Sequence, residues 1–457
     1  MTTVRPAAQG PDPSVGDLLA AWLPGRRWFP GGADVRAEPW LAVTFDDEPA
    51  APAGPASGPA PGGDVVVLLV RLVGAALPGG DLVAQVPLVL GPADAHGPGF
   101  IGDVRTGAGD VAVHDGGAHP AAWLAMLHAM GATGGAADDA LVAGGRVLAG
   151  EQSNTSVVLP GVPSPDGAGT ILKVLRTVAP GPHPDVVVPQ TLTRAGWEGV
   201  PRFLGALEVP APDGEPLALA VLSELVPDAD DGFELACAYA SRGESFAQLA
   251  AGLGRVVAEL HTVLRRSLPP GPLLEPASFV AGLRRRAAEA VAEAPSLAPR
   301  AGQVGALLDD LRHRLPPVRL QAIHGDLHLG QSLHGPGGWR LLDFEGEPQR
   351  PVAERTAPDL RLRDVAGMLR SFDYAAAVGG APDPTPWRAE AGHAFAAAYQ
   401  SAAEPSGMDP PTYDAALRAL VLDKALYEVV YESRQRPDWV HIPLAAVDRV
   451  LDGAGSR

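Results

Sequence analysis

Short apolar runs fill the first half of the chain and helical stripes the second. Residues 14–29 read as a short helix stopped by Pro24-Gly25, with Trp28-Phe29 following as a core anchor. Strands are expected at 40–45, 64–73 and 82–90, separated by Pro/Gly/Ala stretches, and 49–63 is a low-complexity insertion that reads as a loop. Residues 120–130 predict a helix with Pro120 in its first turn. Residues 1–135 therefore read as an α+β cap or lead-in domain with no catalytic motif of its own.

A second domain is expected over 136–226. Strands at 145–148, 156–159 and 170–175 enclose a polar loop, Gly150-Glu151-Gln152-Ser153-Asn154-Thr155, and the third strand carries Lys173. This order lays backbone N–H groups over nucleotide phosphates and brings an ammonium to them. Ser153, Asn154 and Lys173 are the candidates for that contact. The loop lacks a Gly-x-Gly-x-x-Gly spacing, so taken alone it describes a plain hairpin equally well. A short helix over 188–195 and a hairpin over 200–209 and 217–222 follow. Ser223-Glu224-Leu225-Val226 then stands where an interlobe connection should pass, and the backbone at Glu224 could pair with an adenine edge.

Helical patterns dominate the third domain, 227–457. Leu249, Leu253, Val256, Val257 and Leu260 form a stripe over 246–264, with His261 beside it as a packing residue. Helices are also expected at 279–294, 301–315, 364–377, 386–401, 413–434 and from 444. They are interrupted by Ile323-His324-Gly325-Asp326-Leu327-His328-Leu329-Gly330-Gln331 and by Leu341-Leu342-Asp343-Phe344-Glu345-Gly346. An apolar run at 320–323 should deliver His324 and Asp326 at the end of a short strand, and a strand over 340–342 should present Asp343. Phosphoryl transfer needs a carboxylate near the attacking hydroxyl and oxygen ligands for magnesium. Asp326 suits the first role; Gln331 and Asp343 suit the second. A zinc hydrolase built on His324, Asp326 and His328 is the rival chemistry, but it leaves Gln331 and Asp343 unexplained, and a buried His and Asp that tie down a turn are the structural alternative. Asp364 is expected to cap its helix or to hold the catalytic loop by hydrogen bonds.

On the penultimate helix, Lys424, Tyr427, Glu428, Tyr431 and Glu432 fall three and four apart and share adjoining faces. Carboxylates, an ammonium and aromatic rings together suit the hydroxyls and apolar face of a sugar. A salt-bridged helix with core tyrosines is the alternative.

Bulk properties narrow the class. The 457 residues are 46% apolar and 19% charged, which is globular composition for more than one domain. A net charge of −18 disfavours nucleic acid and anionic membrane surfaces as partners. One cysteine makes no internal disulfide, and residues 1–14 show no apolar signal core, so a cytoplasmic location is expected. Lys173 and Lys424 are the only lysines beside 33 arginines, which suggests positions where a compact ammonium is required.

These motifs resemble the maltokinases, within the aminoglycoside phosphotransferase-like and eukaryotic-like kinase superfamily. The likeness is carried by Trp-Leu-Pro-x-x-Arg-Trp-Phe at the start, Glu-Gln-Ser-Asn-Thr-Ser, His-Gly-Asp-Leu-His-Leu-Gly-Gln, Leu-Leu-Asp-Phe-Glu-Gly-Glu-Pro, Asp-Lys-Ala-Leu-Tyr-Glu and Arg-Pro-Asp-Trp. It implies an α+β, bilobal protein-kinase-like fold: an N-terminal cap, a small β-rich lobe and a mostly helical C-terminal lobe. It implies ATP and Mg2+ as cofactors and phosphorylation of maltose at its anomeric hydroxyl, feeding α-glucan synthesis. Asp326 would orient or deprotonate that hydroxyl, Gln331 and Asp343 would hold magnesium, Lys173 would meet the phosphates, and His324, Lys424, Tyr427, Tyr431 and Glu432 would contact the sugar. A monomer is expected, with a trehalose-isomerising enzyme as the partner that could dock on the cap. Related glucosamine kinases are similar overall, with Asp-Phe-Asp-Gly-Asn-Pro in the metal segment where this chain has Asp-Phe-Glu-Gly-Glu-Pro. One departure stands out: the family's Glu that pairs with the strand lysine is Val187 here. Asp185 or Glu151 could substitute; otherwise a weak pseudokinase acting as a binding module is implied.

Overall fold

The computed structural model describes residues 2–6, 12–26, 28–29, 35–47, 63–74, 77–107, 109–148, 153–347, 355 and 357–453. The chain divides into two compact units, Met1–Gln190 with Pro201–Pro227, and Thr191–Val200 with Asp228–Arg457. The loop expected at 49–63, all but its last residue, lies outside the described residues, as do Glu151 and Gln152.

In the first unit, β1 (Thr2–Pro6), β2 (Arg36–Asp47), β3 (Asp64–Val73), β4 (Asp81–Pro92), β5 (Phe100–Thr106) and β6 (Gly109–Asp115) form an antiparallel sheet ordered β1-β2-β3-β4-β6-β5. Residues Ala84 to Val89 of β4 are buried without alternation, as expected of a strand covered on both faces. Helix α1 (Pro13–Trp22) is capped by Asp12, whose carboxylate accepts from the Ser14 amide at 3.0 Å. It lays Val15 and Leu19 against Leu68, Val86 and Leu88, with Trp28 and Phe29 packed on the same cluster. The hairpin β5–β6 was not legible in the sequence, because Gly102, Gly107 and Gly109 and the interspersed charges break its apolar alternation.

Helix α2 (Pro120–Ala129) sends Trp123, Met126 and Leu127 into a second core. The short helix α3 (Asp138–Val142) leads into β7 (Arg146–Val147), β8 (Thr155–Leu159), β9 (Thr170–Val174) and β10 (Thr177–Val178). After α4 (Pro184–Arg194) come β11 (Phe203–Pro210) and β12 (Pro216–Glu224), giving a five-stranded sheet in the order β11-β12-β9-β8-β7. Leu172, Val174, Leu217 and Leu219 of this sheet share the core of α2, so residues on both sides of position 135 bury one another. β10 pairs with β4 rather than with its neighbours in sequence. Beside it, the guanidinium of Arg176, 1% exposed, donates to both oxygens of Asp115 at 2.9 Å and lies over the Trp28 ring.

The second unit is mostly helical: α5 (Gly232–Ser241), α6 (Ala247–Ser267), α7 (Pro276–Glu293), α8 (Ala301–Arg314), α9 (Leu362–Val378), α10 (Pro384–Ala402), α11 (Pro410–Gln435) and α12 (His441–Asp452). Of the stripe expected on α6, Leu253, Val257 and Leu260 are fully buried and Leu264 joins them, whereas Leu249 and Val256 are half-buried. Gly254 lets α6 close on α10, since a Cβ there would sit 2.3 Å from the Phe395 carbonyl oxygen. A small sheet, β13 (Asp230–Asp231), β14 (Ser332–Gly335) and β15 (Gly338–Leu341), follows the order β13-β14-β15. The strand expected at 320–323 is reduced to a single bridge, Gln321 to Asp359. Its polar member explains this: the Gln321 amide turns inward and donates to the His261 carbonyl at 2.8 Å. Among the described residues no helix is long and apolar enough to cross a membrane.

Candidate active site

The catalytic-loop motif is held by its backbone. Gly325 takes φ +89°, a left-handed turn that glycine adopts at little cost. The amides of His324 and Gly325 both donate to the Asp364 carboxylate, at 2.8 and 2.9 Å. Asp364 is 1% exposed in the first turn of α9, and His261 of α6 contacts it at 2.8 Å while its other ring nitrogen meets the Tyr399 hydroxyl at 2.9 Å. Burial works to raise the Asp364 carboxyl, but the His261 bond and charge, with His324 and the Gly325 amide, hold it below the ordinary value. Gly367 allows this closeness, because a Cβ there would meet the Leu327 carbonyl oxygen at 2.4 Å. Of the two roles expected of Asp364, holding the loop is the one seen. His261 is more than a packing residue: it orients that carboxylate.

Asp326 follows in this turn, and its Oδ1 lies 3.0 Å from the Lys424 ammonium. The same ammonium lies 2.5 Å from Glu347. Burial would raise the Asp326 carboxyl, but the charge of Lys424, with His328 and His324 beside it, outweighs burial and keeps it below the ordinary carboxylate value. Lys424 shows the mirror image. Burial would lower it, and Asp326 and Glu347 raise it instead. His328 is pushed down chiefly by burial, and its Nδ1 accepts from the Gly330 amide at 3.1 Å. An imidazole so used caps the next turn, and the alternating His-Asp-His face required of a zinc site is absent from this non-strand segment.

Gln331 and Asp343 come together at the open end of the β14–β15 hairpin that separates them in sequence: the amide nitrogen donates to Asp343 Oδ2 at 3.1 Å. Asp343 adopts φ +62°, uncommon outside glycine and found where a site over-determines the backbone. That bond turns the amide nitrogen to the carboxylate, and carboxylate oxygens are the donors a hard cation takes. Glu345 adds a carboxylate oxygen within 4.8 Å of one on Asp343. Glu345 and Glu347 mark the difference from the glucosamine kinases in sequence but were given no role in the site, although the acidic alternation Asp343-Glu345-Glu347 carried the signal.

His324, expected at a sugar, is 1% exposed, and its Nε2 donates to the Leu342 carbonyl at 2.8 Å while the ring lies 4.8 Å from that of Phe344. It latches the loop to the segment that presents Asp343, and in this structure the ring is enclosed by protein. On α11 the expected neighbours do gather. The Lys424 ammonium stands over the Tyr427 ring at 5.1 Å, and Tyr427 and Tyr431 stack at 6.4 Å. Glu432, 1% exposed, accepts two bonds from Arg436 at 2.8 and 2.7 Å and one from the Tyr374 hydroxyl at 3.0 Å. Its carboxylate is already spoken for.

In the first unit, Lys173 Nζ lies 2.5 Å from Asp185 Oδ2. The carboxylate missing at Val187 is thus supplied two residues earlier, from the first turn of α4. Asn154 is buried and its side-chain oxygen accepts from the Arg176 amide at 2.9 Å, while Ser153 beside it is exposed. The amides of Glu224 and Leu225 are committed to the carbonyls of Arg202 and Gly169, at 2.9 and 3.1 Å. Burial, then Asp166, pushes the Glu224 carboxyl up.

Residues 242–410 match the model of the phosphotransferase enzyme family known as APH. A glucosamine kinase of Streptacidiphilus jiangxiensis is 31% identical over 329 residues, 66% of this chain and 72% of that protein. A glucosamine kinase of Mycolicibacterium smegmatis is 29% identical over 331 residues, 68% of this chain and 80% of its own. Among solved structures, a glucosamine kinase in complex with glucosamine, ADP and inorganic phosphate is similar at TM-score 0.60 and 26% identity, over 96% of this chain and 99% of that one. The fold is accordingly the mixed α+β, kinase-like one expected from the motifs, and the chain belongs to the phosphotransferase enzyme family.

Proposed function

We propose that this chain is an ATP-dependent sugar kinase whose acceptor is maltose, phosphorylated at the anomeric hydroxyl to maltose 1-phosphate for α-glucan synthesis. The contact of Lys424 with Asp326 carries the reading, because it sets the Tyr427–Tyr431 face of α11 beside the carboxylate that would take the acceptor's proton. Asp326 is ionised and within reach of a hydroxyl lying on those rings, which suits it to orient that hydroxyl and to hold its proton. Lys424 keeps the carboxylate in place and charged.

Gln331 and Asp343, with Glu345 alongside, would hold magnesium, which when bound bridges phosphate oxygens and offsets their charge. Lys173, oriented by Asp185, would meet the nucleotide phosphates. Ser153 and Asn154 would supply the loop above them, and the Glu224 segment the adenine edge through backbone groups other than the Glu224 and Leu225 amides, which are already bonded. A trehalose-isomerising partner enzyme would supply the maltose, and a monomer in the cytoplasm is the working form. The pairing of Lys173 with Asp185 weighs against a pseudokinase, since the lysine keeps a carboxylate anchor.

A second reading, with glucosamine as acceptor, is favoured by the names of the relatives. Incubation with magnesium, ATP and either sugar, followed by phosphorus NMR of the product, tests the choice. An acid-labile anomeric phosphate from maltose supports the first reading; phosphorylation of glucosamine alone replaces it with the second.

A further inference from the structure

Four carboxylates line the Lys424 side of α11 and its surroundings, and each holds a cation supplied by the chain itself. Asp326 and Glu347 share the Lys424 ammonium at 3.0 and 2.5 Å. Glu428, one turn further on, accepts from Arg370 Nε at 2.8 Å, and Glu432 takes the two bonds from Arg436. Tyr427 completes the surroundings of Lys424, with Glu428 acting on it by charge. A site for an ammonium ligand has the reverse arrangement: carboxylates lacking a partner of their own, satisfied only when the ligand arrives. The use of lysine here is itself informative, since it is one of only two in the chain and a single compact ammonium can sit between two carboxylates.

We propose that Lys424 selects the charge of the acceptor: its ammonium occupies the place that an amino sugar's ammonium would take, so the site admits neutral sugars and rejects cationic ones. This rests on the sugar-kinase reading above and sharpens its substrate class. A second ammonium reaching Asp326 or Glu347 would have to break an existing ion pair or stand beside a like charge in partly desolvated surroundings. A hydroxyl needs only hydrogen bonds, and the ring faces that would attract a cation already carry the chain's own, Lys424 over Tyr427 at 5.1 Å and Arg436 over Tyr431 at 5.5 Å.

The test compares maltose, glucose and glucosamine, by calorimetric binding to the full chain in magnesium and ADP, so that the answer does not depend on turnover. At a pH where the glucosamine amine is protonated, the better neutral sugar should bind about tenfold or more tightly than glucosamine. Glucosamine binding should tighten as pH rises through deprotonation of its amine, while the neutral sugars stay level. Lys424→Gln, which removes the charge, should shrink the discrimination by about tenfold; Arg300→Gln, which removes a cation paired with Asp448, should leave it unchanged. Should Lys424→Gln fail to fold, the pH dependence of the natural chain decides alone. Glucosamine bound as tightly as the neutral sugars when protonated, or discrimination unchanged in a folded Lys424→Gln, overturns the proposal while leaving the kinase reading standing. Binding of none of the three sugars overturns both.

Discussion

Lys173 and Asp185 form an ion pair of 2.5 Å, joining β9 to the first turn of α4. Asp185 is 4% exposed and Lys173 half-buried, so removing this carboxylate takes a close opposite charge from a partly desolvated ammonium, a costly change. Asp185→Asn should raise KM for ATP about tenfold or more with the protein still folded. Val187→Glu, which restores the carboxylate at its expected position, should change KM by less than about threefold, because the role is filled. Steady-state kinetics in ATP on both variants checks this; a silent Asp185→Asn would mean the pair is incidental.

Asp364 stands at the centre of the second unit's support for the catalytic loop. Asp364→Ala leaves two backbone amides and His261 without their acceptor, so about 3–5 kcal/mol of stability should go with it. Activity should fall by about 100-fold or more where the variant remains folded. The sign with pH follows from its lowered carboxyl. The stabilisation is present above the unfolded value of about 3.9 and is lost as pH falls through the lower folded value. Denaturant melts of the natural chain and Asp364→Asn across the acid range should therefore converge at low pH and separate above it.

The acid limb of the rate profile should belong to Asp326. Its carboxyl is held below the ordinary value by Lys424 against the effect of burial. In Lys424→Gln only His328 and His324 are left to oppose burial, and the limb should move upward by about one pH unit or more. The profile of kcat measures it directly, and an unmoved limb would show that another group titrates.

Metal dependence should trace to Gln331 and Asp343. Chelation of divalent cations should abolish ADP release and added magnesium should restore it. Asp343→Asn should lower kcat by about 1,000-fold or more, whereas Gln331→Ala, which leaves the carboxylate, should raise the magnesium requirement more than it lowers kcat at saturation. Titration of activity with magnesium separates the two.

Much of this architecture was legible because its signals are local. The α6 stripe, Pro120 in the first turn of α2, and the spacing of Asp326, Gln331 and Asp343 need only neighbouring residues to be read. What escaped depends on partners distant in sequence. β10 is two residues long and exists as a strand only because β4 lies beside it. The enclosure of His324 by Leu342 and Phe344 shows only in the fold, and Glu347 matters only once Lys424, 77 positions away, reaches it. Asp185 and Glu151 were both open in sequence for the place left by Val187; the first turn of α4 brings Asp185 to the lysine, while Glu151 lies outside the described residues.

The most direct measurement of the central claim is maltose-dependent ADP release with magnesium and ATP, in the natural chain and in Asp326→Ala. Release should require maltose and fall by about 1,000-fold or more in the variant. Release that proceeds equally without sugar, or that survives loss of the Asp326 carboxylate, would contradict the claim.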